Sequence, residues 1–177
     1  MATRIYIPSA IDKQGIGMDL KVVRVKMPKN ANVIVGQTHF IKSVEDLYEA
    51  MVTAVPKAKF GVAFAEASGP CLIRHDGNDK ELVDAAVESC REIGAGHTFI
   101  IFMREAYPIN VLNALKSIQE VCSIFCATAN LVEVVVAESN LGRGILGVID
   151  GSSPKGVEGE KDRTERVEFL RKIGYKR

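Results

Sequence analysis

The chain has 177 residues, 47% hydrophobic and 25% charged, which suits one domain with a full core of its own. Lys and Arg total 23 against 22 Asp and Glu, so the net charge is +1 and the basic excess of a nucleic-acid binder is missing. No apolar stretch reaches the roughly 18 residues that span a bilayer, and Met1 to Pro8 lack a secretory signal, so a cytosolic protein with reduced thiols is expected.

In chain order, residues 1–19 read as a short lead-in strand and a loop. Leu20 to Met27 alternates as a half-exposed strand, Pro28-Lys29-Asn30 turns, and Ala31 to Val35 follows, which predicts a hairpin. Ser43 stands as an N-cap three residues before Asp46, opening a helix that Pro56 ends at about Val55. Phe60 to Glu66 reads as a buried strand and Cys71 to Arg74 as a short one. His75 to Asp79 reads as a polar turn capping a helix from about Lys80 to Ile93, which Gly94-Ala95-Gly96 stops. His97 to Met103 is a buried strand, and Pro108 stands near the start of another helix. Cys122 and Cys126, with no CxxC pairing anywhere, read as small buried hydrophobes rather than metal ligands. Ser123 to Ala127, Val132 to Ala137 and Gly144 to Ile149 are strand-like, residues 150–159 form a glycine-rich loop, and an amphipathic helix covers about Glu160 to Ile173. Strands interleaved with helices predict an α/β domain, a mixed β-sheet covered by helices on both faces.

Four segments can carry chemistry. His39 precedes a helix N-terminus, where N–H groups and the dipole favour an anion, and Lys42 adds a cation. An imidazole there can bind phosphate or accept a phosphoryl group, or it can simply cap backbone groups. Gly94-Ala95-Gly96-His97 follows a helix rather than a strand, so it is no dinucleotide fingerprint. Arg143, between Gly142 and Gly144, offers a forked donor to an anion or marks a tight hairpin with a solvated arginine. Asp150-Gly151-Ser152-Ser153-Pro154-Lys155-Gly156 has small hydroxyls, glycines and a lysine without the order of a P-loop, and can also be a plain surface connection. Glu66, Asp76 and Glu138 are carboxylates at strand ends.

Several ordered segments together resemble one family. They are Gly36-Gln37-Thr38-His39-Phe40-Ile41-Lys42, Lys59-Phe60-Gly61-Val62-Ala63-Phe64, Ile93-Gly94-Ala95-Gly96-His97 and Tyr107-Pro108-Ile109-Asn110-Val111-Leu112-Asn113-Ala114. Phe125-Cys126-Ala127-Thr128-Ala129-Asn130, Gly142-Arg143-Gly144-Ile145-Leu146-Gly147-Val148-Ile149-Asp150-Gly151 and Ser153-Pro154-Lys155-Gly156-Val157-Glu158 continue the likeness. From about residue 3 onward the chain resembles the adenosine-specific kinases of archaea and some bacteria.

The resemblance implies a three-layer α/β/α sandwich, binding of adenosine or an adenine nucleotide (ATP, ADP or AMP), a phosphorylated histidine, and a homo-oligomer, with a trimer favoured. Mg²⁺ would accompany a triphosphate donor. Small molecules, not nucleic acid or membrane, are the expected partners. His39 is the expected phosphoryl carrier, beside Lys42, with His97 in reserve. Lys42, Arg143 and Lys155 would neutralise phosphate, and Gly142, Gly144 and Gly151 would admit the ligand close to backbone. Glu66 or Asp150 would contact ribose or orient the histidine, with Gln37 and His97 as further ligand contacts. A module that senses AMP or adenosine without turnover is the alternative, and a scaffold for oligomers comes after it.

Overall fold

The computed structural model describes residues 17–177, so the lead-in strand expected before them lies outside the described residues. The elements are β1 (Asp19–Arg24), β2 (Asn32–Thr38), α1 (Ser43–Ala54), β3 (Lys59–Ala65), β4 (Ile73–Gly77) and α2 (Lys80–Ile93). They continue with β5 (Thr98–Arg104), α3 (Pro108–Lys116), β6 (Val121–Thr128), β7 (Val132–Glu138), β8 (Arg143–Asp150) and α4 (Glu160–Lys172).

The strands form two sheets, a large one in the order β4-β3-β5-β2-β6 and a small one in the order β1-β7-β8. Strand neighbours run antiparallel in both. The mixed sheet expected from the sequence is therefore corrected to two antiparallel sheets, while the α/β class stands. The predicted β1–β2 hairpin is corrected too, because β1 pairs with β7 and β2 lies between β5 and β6. The chain passes from one sheet to the other at Pro28, and Val23 and Val25 pack on the same core as Val33 and Val35.

Alternation along the central strands separates two cores. Val33, Val35, Ala63, Ala65, Ile100 and Phe102 face α2 and the valines of β7. Ile34, Phe60, Val62, Phe64, Phe99 and Ile101 face Leu47 and Met51 of α1 and Val111 and Leu115 of α3. Side chains that alternate with period two, all buried, can only belong to a sheet covered on both faces.

Local chemistry sets the helix ends. The Asp79 carboxylate accepts from Leu82 N–H at 3.2 Å to start α2, and Gly94 ends it with φ of 64°. α2 lies so close to β3 that a Cβ at Gly61 would come within 2.2 Å of Val83 N. At α1 the expected cap is corrected: Lys42 occupies the N-cap position with no side-chain cap, and Ser43 Oγ donates to Phe40 O at 2.6 Å. His75 to Gly77, expected as a turn, belongs to β4 and pairs with β3. Cys122 is exposed, not buried. α4 buries no residue fully, and on its predicted amphipathic face only Val167 and Leu170 are even half-buried. No helix among the described residues is long and apolar enough to cross a membrane.

Candidate functional site

The antiparallel registers bring several loops to one end of the large sheet. Ala65 pairs with Ile73, Phe64 with Phe99, Gln37 with Thr98 and Ser123, and Thr38 with Val121. The residues that follow or precede these pairs, Glu66, His97, His39 and Glu120, therefore stand along one edge. Neighbouring strands are about 4.8 Å apart, so Glu66 and His39, two strands from each other, are on the order of 10 Å apart in the strand-to-strand direction. The β2–β6 pairing shifts register at Val35/Gly36 and again at Gln37/Thr38. Such bulges re-aim the chain where it leaves a sheet.

A cavity of about 750 Å³ opens at this end on the α2 side, lined by Ala65, Glu66, Ala67, Cys71, Ile73, Arg91, Gly94, Gly96, Glu138, Ser139, Leu141, Arg143 and Gly144 among others. That volume falls in the range of small-molecule pockets. The Glu66 oxygens accept from Leu72 N–H at 2.8 Å and from Arg74 Nε at 2.8 Å. The Leu72 hydrogen bond first, and Arg74 after it, hold the Glu66 carboxyl below the usual carboxylate range. A carboxylate has lone pairs left beyond these two bonds, enough for a ligand hydroxyl. Gly96 lets two loops meet, since a Cβ there would sit 2.7 Å from Ala67 Cβ.

Arg143 is more committed than its glycine-flanked sequence suggests. Its Nε donates to Glu138 Oε2, and one terminal nitrogen donates to Glu92 O at 3.0 Å and Ile93 O at 3.3 Å. It thus caps the carbonyl end of α2, where a cation is favoured, while its side chain still lines the cavity. Arg91, also lining the cavity, is exposed at the last turn of α2.

Farther along the same edge, His39 Nδ1 lies 3.0 Å from Glu120 O, and His39 N–H donates to the same oxygen at 3.2 Å. Cys122 Sγ is 3.9 Å from Nδ1. Lys42 Nζ donates to Asp46 Oδ2 and, at 3.3 Å, to Glu120 Oε2. The Asp46 hydrogen bond chiefly raises the Lys42 pKa, and Lys42 in turn lowers that of Asp46. The Glu120 side chain is only 3% exposed, and its Oε1 has no partner among the described residues. Thr38 Oγ1 is likewise buried without a partner.

His97 bridges the two halves by its backbone. Its N–H donates to Ala65 O at 2.7 Å and its carbonyl accepts from Thr38 N–H at 3.0 Å. Its φ of 62° is left-handed, uncommon outside glycine. The ring stacks on Phe64 with centroids 5.9 Å apart, on the α1/α3 side and away from the cavity. Gln37 is exposed on β2 at the same sheet end.

Asp150 and Gly151 do not join this group. Arg143 and Asp150 are the two ends of β8, about 23 Å apart for a strand of that length. Asp150 accepts from Asn130 Nδ2 at 2.9 Å, and Gly151 lines a separate cavity of about 550 Å³ beside Asn130 and Arg24. The sequence reading missed Glu120 and Arg91: neither carries a motif, and only the register of β6 and the C-terminus of α2 bring them to the site.

Among the described residues, no three His, Cys, Asp or Glu side chains converge where they could hold a metal ion.

The comparisons with known proteins bear on all of this. No curated protein matches the chain. The crystal structure of the PH1918 protein from Pyrococcus horikoshii OT3 is similar to it, with 44% identity and a TM-score of 0.87, covering 90% of this chain and 99% of that one. The family model described as adenosine specific kinase matches residues 23–176. With nearly the whole described chain inside that match, this protein belongs to the adenosine-specific kinase family.

Proposed function

We propose that this protein binds adenosine or an adenine nucleotide in the Arg143 cavity and passes a phosphoryl group through His39. The observation that supports it is a juxtaposition: one sheet end carries both a cavity of nucleoside size, lined by Glu66, Arg91 and Arg143, and a histidine with Lys42 close by at an uncapped helix start. Family membership supplies the adenosine. In this reading the apolar wall of Ala65, Ala67, Ile73 and Leu141 takes the base, and Glu66 accepts from a ribose hydroxyl. Arg91 and Lys42 meet phosphate charge, the main requirement of phosphoryl transfer. Gly144 keeps the wall beside Arg143 open, and Gln37 and His97 shape the edge between cavity and histidine. Asp150 and Gly151 stand at the far end of β8 from this cavity, so a role for them in it requires a neighbouring copy.

Intact mass at neutral pH after incubation with ATP, with and without adenosine, tests the reading. Wild type and His97→Ala are expected to gain one acid-labile phosphoryl group and His39→Ala none. A full adduct on His39→Ala would overturn the assignment.

A second reading, a sensor of AMP or adenosine without turnover, is favoured by one observation. Arg143 uses Nε and one terminal nitrogen inside the fold, which suits a pocket that holds a nucleoside more than one that strips a phosphate. It predicts a thermal shift with adenosine or AMP and no adduct with ATP.

A further inference from the structure

Glu120 lies in the turn between α3 and β6, and two of its groups act on the residues proposed for phosphoryl transfer. Its main-chain oxygen faces His39 Nδ1 at 3.0 Å. A carbonyl oxygen has no proton to give, so in this contact Nδ1 is the donor. A neutral imidazole with its proton on Nδ1 keeps its lone pair on Nε2. His39 N–H binds the same oxygen at 3.2 Å, so ring and backbone are fixed together. Cys122 Sγ, 3.5 Å from that carbonyl and 3.9 Å from Nδ1, can donate to the carbonyl and accept weakly from Nδ1–H, both compatible with a proton on Nδ1. None of the described residues forms a hydrogen bond with Nε2.

The carboxylate is the other group. It is 3% exposed; Oε2 accepts from Lys42 Nζ at 3.3 Å, the Asp46 carboxyl lies within hydrogen-bonding range of the side chain, and Oε1 accepts no hydrogen bond from the described residues. A buried ionisable group left half unsatisfied is costly and calls for a reason. Holding Lys42 beside His39 supplies one: the ammonium is fixed between Asp46 and Glu120 while its side chain stays 46% exposed toward an incoming anion.

We propose that Glu120 is the positioning residue of the His39 site, and that its carbonyl makes Nε2 the nitrogen that takes the phosphoryl group. The proposal rests on the phosphohistidine reading and adds to it the reacting atom and the residue that selects it. In the step, the Nε2 lone pair attacks the terminal phosphorus of a nucleoside triphosphate. An Nε2–P bond forms, the bond from that phosphorus to the bridging oxygen breaks, and its electron pair leaves on the nucleoside diphosphate. The ring gains one positive charge, shared with Nδ1–H, and the Glu120 carbonyl goes on accepting that hydrogen bond. No proton has to leave.

The test treats the full chain with phosphoramidate, a small phosphoryl donor that needs no nucleotide site, and in parallel with ATP. Phosphorus and long-range ¹H–¹⁵N NMR identify the phosphorylated nitrogen, and the nitrogen spectra of untreated protein give the His39 tautomer. The expected result is a proton on Nδ1 before reaction and Nε2-phosphohistidine after it, with either donor. An Nδ1 adduct, or a resting ring protonated on Nε2, overturns the proposal. An Nε2 adduct from phosphoramidate with none from ATP sinks the ATP-dependent function while leaving the choice of nitrogen intact. Glu120→Gln keeps the carbonyl and loses the charge, so it is expected to give the same isomer, formed more slowly by on the order of tenfold or more as Lys42 loosens. An unchanged rate would remove the carboxylate from the proposal, and a changed isomer would show that the carbonyl does not choose the atom.

Discussion

Glu138 accepts from Lys21 Nζ at 2.7 Å and from the Arg143 guanidinium, and these two cations, Lys21 first, hold its carboxyl below the usual carboxylate range. A folded-state pKa below the unfolded one contributes stability at every pH above the ordinary carboxylate value, and that stability drains away as pH falls through the folded value. Glu66 and Asp46 are shifted the same way. The urea midpoint of the wild type is therefore expected to stay level from neutral pH to about pH 5 and to fall below about pH 4. Glu138→Gln should start lower at neutral pH and fall less in acid; a parallel loss at every pH would mean that the ion pair adds nothing. The thiols divide as sharply. Burial pushes the Cys90 thiol up to about 12 and the Cys126 thiol up to about 11, whereas Cys71 and Cys122 are exposed. Thiolate is the reactive form, so a thiol reagent at about pH 8 should modify Cys71 and Cys122 quickly and spare the other two until the chain unfolds. Peptide mass mapping reads this directly, and rapid labelling of Cys90 would show that α2 opens readily.

At the scale of elements, the contact between α2 and β3 is the tightest test of the fold. Gly61 pairs with Gly77 on one side and Phe102 on the other, and a methyl group added at Gly61 would meet backbone of α2 at 2.2 Å from Val83 N and 2.3 Å from Leu82 C. Backbone cannot rotate away as a side chain can, so Gly61→Ala should cost about 3 kcal/mol, seen as a lower denaturation midpoint. A midpoint within error of wild type would mean that α2 can slide on the sheet. The ends of α2 were legible in the sequence because a capping aspartate and a left-handed glycine act through nearest neighbours. The partner of β1 was not, because alternation says which face is buried and nothing about which strand lies alongside. The site divides in the same way. His39, Lys42, Glu66 and Arg143 were visible as side chains suited to phosphate or ribose. Glu120 was invisible, since its carbonyl is common to every residue and its carboxylate is buried only once β6 pairs with β2. Arg143 was visible but only in part: its glycine neighbours suggested an open anion site, and the C-terminus of α2, fifty residues away in sequence, claims one of its two terminal nitrogens.

At the scale of the molecule, α4 is the element least supported by the other described residues. α4 is a helix of 13 residues with none of them buried, and a helix of that length is marginal in water on its own. Its start is well made, with Asp162 accepting from Gly159 N–H at 2.8 Å and Glu158 pairing with Arg166, yet Phe169 is 57% exposed and Ile173 45%. On the body of the protein, Leu146 of β8 is 61% exposed on the edge strand of the small sheet, and Leu131 72% in the turn before β7. Apolar surface on both a free helix and an uncovered sheet edge is what a self-associating chain presents before assembly. A second copy covering α4 would supply packing that the other described residues do not give it. Where the full chain sediments as an oligomer, deleting residues 160–177 should then reduce it to a monomer by sedimentation equilibrium. The melting temperature measured at high dilution should move by no more than a few degrees, because the deleted residues contribute nothing to either core. An assembly of unchanged size would place the contact elsewhere, with the β8 edge the next surface to substitute. A deletion that unfolds the dilute monomer would mean that α4 supports its own chain's core, against its lack of a single buried side chain.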